Sequence, residues 1–220
     1  MIQLKFLVNI PVHRRRPGAG RVAGCTAGIM LCLLAACAPA PVRPPIKGDE
    51  SVQVARESAL ASQSTWSFSG RIAVNSAGNA GNARIDWKQD GADYDIRLSA
   101  PITGQGWRLR RVGPDISLEG MQGGTRTGND AEALLQDATG WRVPVSAMAS
   151  WVRGARAAGS ADLDFDPAGL PATLRQLGWA VEYRGWTVAS TPLPTRVFAS
   201  QPDASVRRLA ASRIPTISRS

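Results

Sequence analysis

Histidine is almost missing from this chain of 220 residues; the one present is His13. Cysteine is scarce too: Cys25, Cys32 and Cys37 are the full set, and none lies beyond position 37. No acidic residue precedes Asp49. The longest apolar run, Val22 to Ala36, is short of the ~20 residues a helix needs to cross a bilayer. Each scarcity excludes something. Beyond Cys37 there is no Ser–His or Cys–His pair for nucleophilic catalysis and no imidazole to ligate a metal. The part that follows Cys37 cannot form an internal disulfide.

What is present begins with a leader. Lys5, Arg14, Arg15, Arg16 and Arg21 precede the apolar run, which ends in Leu34-Ala35-Ala36-Cys37. A basic start, an apolar centre of this length and small residues before a cut are the parts of a secretory signal. Small residues let the chain lie extended in a peptidase groove. The residue after the cut is a thiol, the nucleophile that lipid transfer needs. The stretch resembles the bacterial lipoprotein signal, whose lipobox ends on the modified cysteine. Residues 1–36 are therefore expected to be a signal peptide and Cys37 the lipidated first residue of the mature chain. The competing reading, an ordinary secretory signal with a chance cysteine, fits the cysteine distribution less well. Cys25 and Cys32 would leave with the leader, so Cys37 would be the sole cysteine retained.

Removing the leader changes the charge. The whole chain has 26 basic and 17 acidic residues, net +9. Five of the basic residues and none of the acidic ones lie in the leader, which leaves the rest at +4. Most of the basicity belongs to targeting, so nucleic acid is not an expected partner. Residues 37–50 form a tether: Pro39, Pro41, Pro44 and Pro45 block helix and ladder alike and hold the chain extended. Ala38 follows the cysteine. In lipoproteins of Gram-negative bacteria, which this segment resembles, an aspartate there favours inner-membrane retention, so its absence points to the outer membrane.

Residues 51–220 are long enough for one domain with a substantial core. A short helix is expected over Ser51–Ser62. The period then becomes two. In Trp66 to Val74 the even positions are bulky or Gly, and a Gly/Asn-rich turn over Ser76–Asn82 leads to Ala83-Arg84-Ile85-Asp86-Trp87-Lys88. Tyr94-Asp95-Ile96-Arg97-Leu98, Trp107 to Arg110 and Ile116 to Glu119 repeat the alternation. Five successive strands with short connections imply an antiparallel meander. Its apolar face must be covered. One covering helix is expected after Asn129 or Asp130, ending at Gly140, and a second from Pro144 to Gly154. Thr173–Leu177, Trp179–Tyr183, Arg196–Ala199 and Val206–Ile214 are further strand candidates, the last with weak alternation. The expected class is α+β, mainly antiparallel β: a strongly curved sheet, whose closure the pattern leaves open, with helices over its concave side.

The order of pieces then becomes specific. Lipobox and tether precede a strand after Trp66 and a strand with Trp87. Tyr94-x-Ile96-x-Leu98-x-x-Pro101-Ile102-x-Gly104 follows. Next come Asp130-Ala131-Glu132, Gly140-x-x-Val143-Pro144-Val145 and Leu174-x-x-Leu177-Gly178-Trp179-x-Val181-x-Tyr183. This order resembles the LolB family of outer-membrane lipoprotein-insertion proteins, within the wider LolA/LolB-like group, over nearly all of the mature chain. The resemblance implies an unclosed β-barrel with a helical lid over an apolar cavity for acyl chains, and no cofactor. It implies a monomer, lipid-anchored in the outer membrane and facing the periplasm. Its partners would be a LolA-like periplasmic lipoprotein carrier, acylated lipoprotein cargo and outer-membrane lipid. It also implies that the loop position of Ile102 is a protruding apolar residue acting at the membrane. Val206-Arg207-Arg208-Leu209 departs from the apolar alternation expected of a last strand.

The chemistry of the residues points away from an enzyme without that resemblance. Asp162, Asp164 and Asp166 share one side of a strand and read as a solvated edge more readily than as a metal site. Gly120-Met121-Gln122-Gly123-Gly124 does not open a helix with phosphate-loop spacing. A triacylated cysteine carries about three chains of ~16 carbons, hiding on the order of 35–40 kcal/mol of apolar surface at ~0.8 kcal/mol per methylene. Such cargo has to pass between apolar cavities in contact. Phe68, Ile72, Ile85, Trp87, Ile96, Leu98, Trp107 and Leu109 are the expected cavity walls, with Met148 and Trp151 on the helical side. The alternative is a lipid- or ligand-binding lipoprotein, or an assembly scaffold of the cell envelope with a solid core.

Overall fold

The computed structural model describes residues 2–9, 50–76, 79–100 and 106–201. The strands are β1 (Ile2–Asn9), β2 (Thr65–Ser76), β3 (Asn79–Asp90), β4 (Asp93–Ser99), β5 (Gly106–Val112), β6 (Asp115–Glu119) and β7 (Arg126–Gly128), then β8 (Ala161–Phe165), β9 (Pro171–Gln176), β10 (Trp179–Tyr183) and β11 (Arg196–Gln201). The helices are α1 (Glu50–Ala61), α2 (Ala131–Thr139) and α3 (Val145–Trp151). All the strands belong to one antiparallel sheet in the order β7-β6-β5-β4-β3-β2-β1-β11-β10-β9-β8. The sheet is strongly curved and does not close, and among the described residues β7 and β8 are its outermost strands.

The meander β2–β6 follows from the alternation. Phe68 lies opposite Trp87, Trp87 opposite Ile96, Ile96 opposite Leu109 and Leu109 opposite Leu118, a single apolar row across five strands. On the other face Ser69, Asp86, Arg97, Arg108 and Glu119 make the matching polar row. A slip of one residue would exchange the two rows, so burial fixes the register. The turn expected over Ser76–Asn82 is shorter than that. Pairing continues through Ala73↔Asn82, Val74↔Gly81 and Ser76↔Asn79, because small residues do not interrupt a ladder.

Asp130 caps α2: its carboxylate accepts from the Glu132 and Ala133 N–H groups at 2.9 and 3.2 Å. Gly140, at φ 74°, ends that helix and donates its N–H to the Gln136 carbonyl. The helix after Pro144 stops at Trp151, earlier than expected. Gly154 lies beyond it at φ 72°, where a Cβ would meet the Trp186 ring at 2.6 Å.

Helix α1 forms where expected but buries a polar stripe, Gln53 and Arg56 with Leu60, and leaves Val52 and Val54 exposed. The Arg56 guanidinium donates to the carbonyls of Gly154 (2.7 Å), Arg153 (2.7 Å) and Pro192 (2.8 Å) and lies over Trp186. Arg156 answers from the body, donating to both Glu57 carboxylate oxygens. Burial pushes the Glu57 carboxyl up, but the Arg156 hydrogen bonds outweigh it and hold the group below its ordinary value.

Strand β1 was not expected as structure. Ile2–Asn9 lies in the segment read as leader, yet it pairs with β2 on one side and β11 on the other. Leu4 and Phe6 are buried in the core, while Gln3, Lys5 and Leu7 face out. Cys37, the tether up to Asp49, Ile102 and the Val206–Ile214 candidate lie outside the described residues.

Candidate functional site

The apolar face of the sheet is not filled evenly. Between β1–β5 and the α2–α3 segment is a cavity of about 60 Å³. Its sheet walls are Leu4, Phe6, Ile72, Val74, Ile85, Trp87, Ile96, Leu98, Trp107 and Leu109. Leu135 and Thr139 of α2, Trp141 and Val143 of the connection, and Val145 and Met148 from α3 complete it. Thr139 is the one wall residue with a hydroxyl, and that hydroxyl donates to the Leu135 carbonyl at 2.6 Å. The space therefore presents hydrocarbon to an occupant, with no fixed polar group to orient one.

Of the residues singled out from the sequence, Ile72, Ile85, Trp87, Ile96, Leu98, Trp107, Leu109 and Met148 are brought together around this cavity. Phe68 belongs to the same apolar cluster but sits beside the cavity, stacked on Trp66 at 6.3 Å and against Trp87 at 5.9 Å. Trp151 also lies away from it. Fully buried, it packs on Trp179 and donates its indole N–H to Gln176 at 2.9 Å. Gln176 closes the arrangement by accepting from the Ala157 N–H and donating to the Ala157 carbonyl. Five wall positions from the α2–α3 segment besides Met148 were missed, although Trp141-Arg142-Val143 alternates. Val74 was read as part of the apolar face but not as a wall, and Leu4 and Phe6 were missed as well, although Ile2-Gln3-Leu4-Lys5-Phe6 alternates more cleanly than the C-terminal candidate does.

Much of the charge on β2–β6 lies on the outer face. Asp95 on β4 accepts two hydrogen bonds from Arg108 (2.9 and 2.6 Å) and two from Arg97 (3.1 and 3.0 Å). The Arg108 hydrogen bonds hold its carboxyl down at about 2, against a smaller upward push from burial. Asp162 and Asp164 both pair with Arg175, and Asp166 accepts from the Ala168 and Leu170 N–H groups in the β8–β9 turn. Each of the three aspartates thus has a structural partner, and they do not converge on a common point. Tyr94, half-buried at the end of β4, has its phenol pushed up to about 12 by burial.

Comparison with known proteins extends over most of this architecture. A family model described as "Outer membrane lipoprotein LolB" matches residues 64–212. Among curated relatives, a protein of Xanthomonas axonopodis pv. citri (strain 306) named "Outer-membrane lipoprotein LolB" is 45% identical over 166 residues, covering 71% of this chain and 76% of its own. A protein of the same name from Xanthomonas campestris pv. campestris (strain 8004) is 42% identical over 181 residues, covering 78% and 82%. One from Xylella fastidiosa (strain 9a5c) is 37% identical over 171 residues, covering 74% and 78%.

Proposed function

The chain belongs to the LolB family, and on that premise we propose how its structure serves lipoprotein transfer. It is an outer-membrane lipoprotein of the trafficking class and not an enzyme. Its work is to accept acylated lipoproteins from a LolA-like carrier and insert them into the outer membrane. The observation that carries the reading is the all-hydrocarbon cavity between an unclosed sheet and the α2–α3 segment. An unclosed sheet can yield at its helical cover where a closed barrel cannot. The α2–α3 segment is then a lid, and Leu135, Trp141, Val143 and Met148 are its inner surface. Each half of the transfer needs only that the acceptor hold the acyl chains slightly better than the donor, so no cofactor or nucleotide is required.

Cys37 carries the lipid anchor in this reading, and the protein acts as a monomer on the inner leaflet of the outer membrane. Ile102, between β4 and β5, is the residue that meets the bilayer. One isoleucine contributes only about 1.5–3 kcal/mol on full burial, too little to anchor but enough to orient a molecule already anchored. The test separates the two half-reactions. In Ile102→Glu, cargo should still pass from carrier to this protein, and delivery into liposomes should fall by at least tenfold. Unchanged delivery, or loss of acceptance instead, overturns the role of Ile102. If neither half-reaction exceeds the rate of a liposome control lacking the protein, the transfer reading itself fails.

A further inference from the structure

We propose that Arg71 and Arg84, side by side on the outer face of the sheet, bind the phosphates of anionic lipid headgroups and turn that end of the sheet toward the bilayer. This rests on the reading above that the segment between β4 and β5 meets the membrane, and it names the lipid chemistry recognised beside that segment.

The outer face of β2–β6 is polarised along its strands. Its cross-strand rows run in order from the end where β4 leads into the Ile102 segment. In the first row Arg71 lies opposite Arg84 and Arg84 opposite Ser99, two cations and no acid. The second holds Asp86, Arg97, Arg108 and Glu119, whose charges cancel. The third holds Lys88, Asp95 and Arg110, with one cation in excess. The fourth holds Asp90, Asp93 and Asp115 and no cation. From the first row to the fourth is roughly 20 Å along β3, at ~3.4 Å per residue. The Debye length at physiological salt is ~8 Å, so an anionic surface that attracts the first row scarcely repels the fourth.

The fold makes little use of this pair. Arg71 is exposed and has no hydrogen-bond or ion-pair partner among the described residues. Arg84 pairs only with Asp86 of its own strand, and both side chains are exposed. Like charges directly opposite each other weaken strand pairing, so the fold alone does not account for two arginines here. A phosphate does. Each guanidinium is permanently charged and offers a planar fork of donors that matches two phosphate oxygens. Position selects the source of that phosphate. Arg84 is one strand from Ser99, which leads into the Ile102 segment, and Arg71 is one strand further, about 10 Å from Ser99. Contact of that segment with a bilayer therefore brings both guanidinium groups to the headgroup layer.

The test uses the mature protein from residue 37 with Cys37→Ala, so that an acyl anchor does not mask a weaker contact. Vesicles are phosphatidylcholine alone or an equal mixture with phosphatidylglycerol. Co-sedimentation should show at least tenfold tighter binding to the mixed vesicles, weakening as salt is added. Arg71→Ser with Arg84→Ser should lose at least tenfold on the mixed vesicles and nothing on the neutral ones, with a urea midpoint no lower than the parent's. Lys88→Ser with Arg110→Ser removes the same charge two rows further from the bilayer and should lose less than threefold. Equal losses from the two pairs would leave net charge as the determinant and overturn the site. Equal binding of the parent to both vesicles, or to neither, overturns it as well. Competition by inorganic phosphate beyond that of sodium chloride at equal ionic strength would mark a site for the free ion instead. Arginine variants that bind vesicles normally but fail to accept cargo from the carrier would assign the pair to an acidic protein surface and overturn the lipid site. Ile102→Glu keeps the two readings apart. If it binds mixed vesicles like the parent while the arginine variant does not, the arginine site stands and the role of Ile102 falls. If it alone loses binding, the role of Ile102 stands and the arginine site falls.

Discussion

The two halves of the sheet are built on the same alternation but end differently. Beneath β8–β11 the space is solid: Trp151, Leu174, Trp179 and Val181 fill it, and Gln176 ties the Trp151 indole to the Ala157 backbone. Beneath β2–β5 the side chains are as apolar and nearly as buried, yet they leave a void and carry no polar key. A buried hydrogen-bonded side chain specifies one arrangement of its neighbours, whereas a purely apolar wall tolerates several. The packed half is suited to hold the fold, and the hollow half to change its contents. Substitutions should therefore register as lost stability in one half and as altered cargo binding in the other.

The largest expected effect is in the packed half. Trp151→Ala removes a fully buried indole and leaves a cavity the sheet cannot collapse into, at a cost of about 3–5 kcal/mol. Urea denaturation should show the midpoint falling with the slope retained. A loss below 1 kcal/mol would mean that this half is as yielding as the other.

Next comes Leu98→Glu in the hollow half. Leu98 is a cavity wall on β4, opposite Trp107 and 9% exposed. A carboxyl there should cost about 2–3 kcal/mol, less than the tryptophan deletion, because the adjoining void lets the side chain turn toward solvent. Acceptance of cargo from the carrier should nevertheless be lost. Normal acceptance by the folded variant would remove Leu98 from the acyl path and weaken the division between the halves.

How much of this contrast the sequence carries depends on the kind of burial. Period-two alternation reports one-sided burial, so the meander and its facing rows could be read directly. Asp130 and Gly140 mark α2 because capping is local. Helix α1 was placed correctly, but the face it buries was hidden. Gln53 and Arg56 bond carbonyls about a hundred residues away, and no local pattern encodes such partners. β7 has three residues, too few to show a period. β1 was masked by its neighbours in sequence: Arg14 to Arg16 and the apolar run label the segment as a leader, and that label overrode the alternation of Leu4 and Phe6. The cavity walls were legible as an apolar face. Which members border the void was not, since Phe68 and Trp151 differ from the wall residues only in what packs beside them.

A smaller effect, of opposite sign, is expected at the β9–β10 turn of the packed half. Leu177 and Gly178 connect the strands with φ of 51° and 77°, the two left-handed positions of a type I′ hairpin. Leucine in that region costs roughly 1–2 kcal/mol, and Leu177 recovers little of it, being 58% exposed. Leu177→Asn should stabilise the protein by about 1 kcal/mol, read as a higher urea midpoint, and should leave cargo acceptance unchanged. A destabilised variant would mean that the leucine makes a contact worth more than its strain.

The smallest effect belongs to the outer face of the hollow half, and it depends on pH. The Asp95 carboxyl is held at about 2, first by the Arg108 hydrogen bonds, against ~3.9 for an unfolded aspartate. The folded value is the lower one, so the unfolded chain binds the proton more readily. Asp95 therefore stabilises the fold fully above pH ~4, and the contribution is lost as pH falls through the folded value near 2. Arg97 and Arg108 are partly in water, with 56% and 31% of their side chains exposed, so screening reduces the gain to about 1 kcal/mol or less. Stability measured from pH 7 down to pH 2 should show Asp95→Asn below the parent at neutral pH and converging on it at pH 2. Added salt should shrink the neutral gap. A gap that persists at pH 2 would show that Asp95 acts through packing between β4 and β5, in which case the hollow half is braced from outside by shape and not by charge.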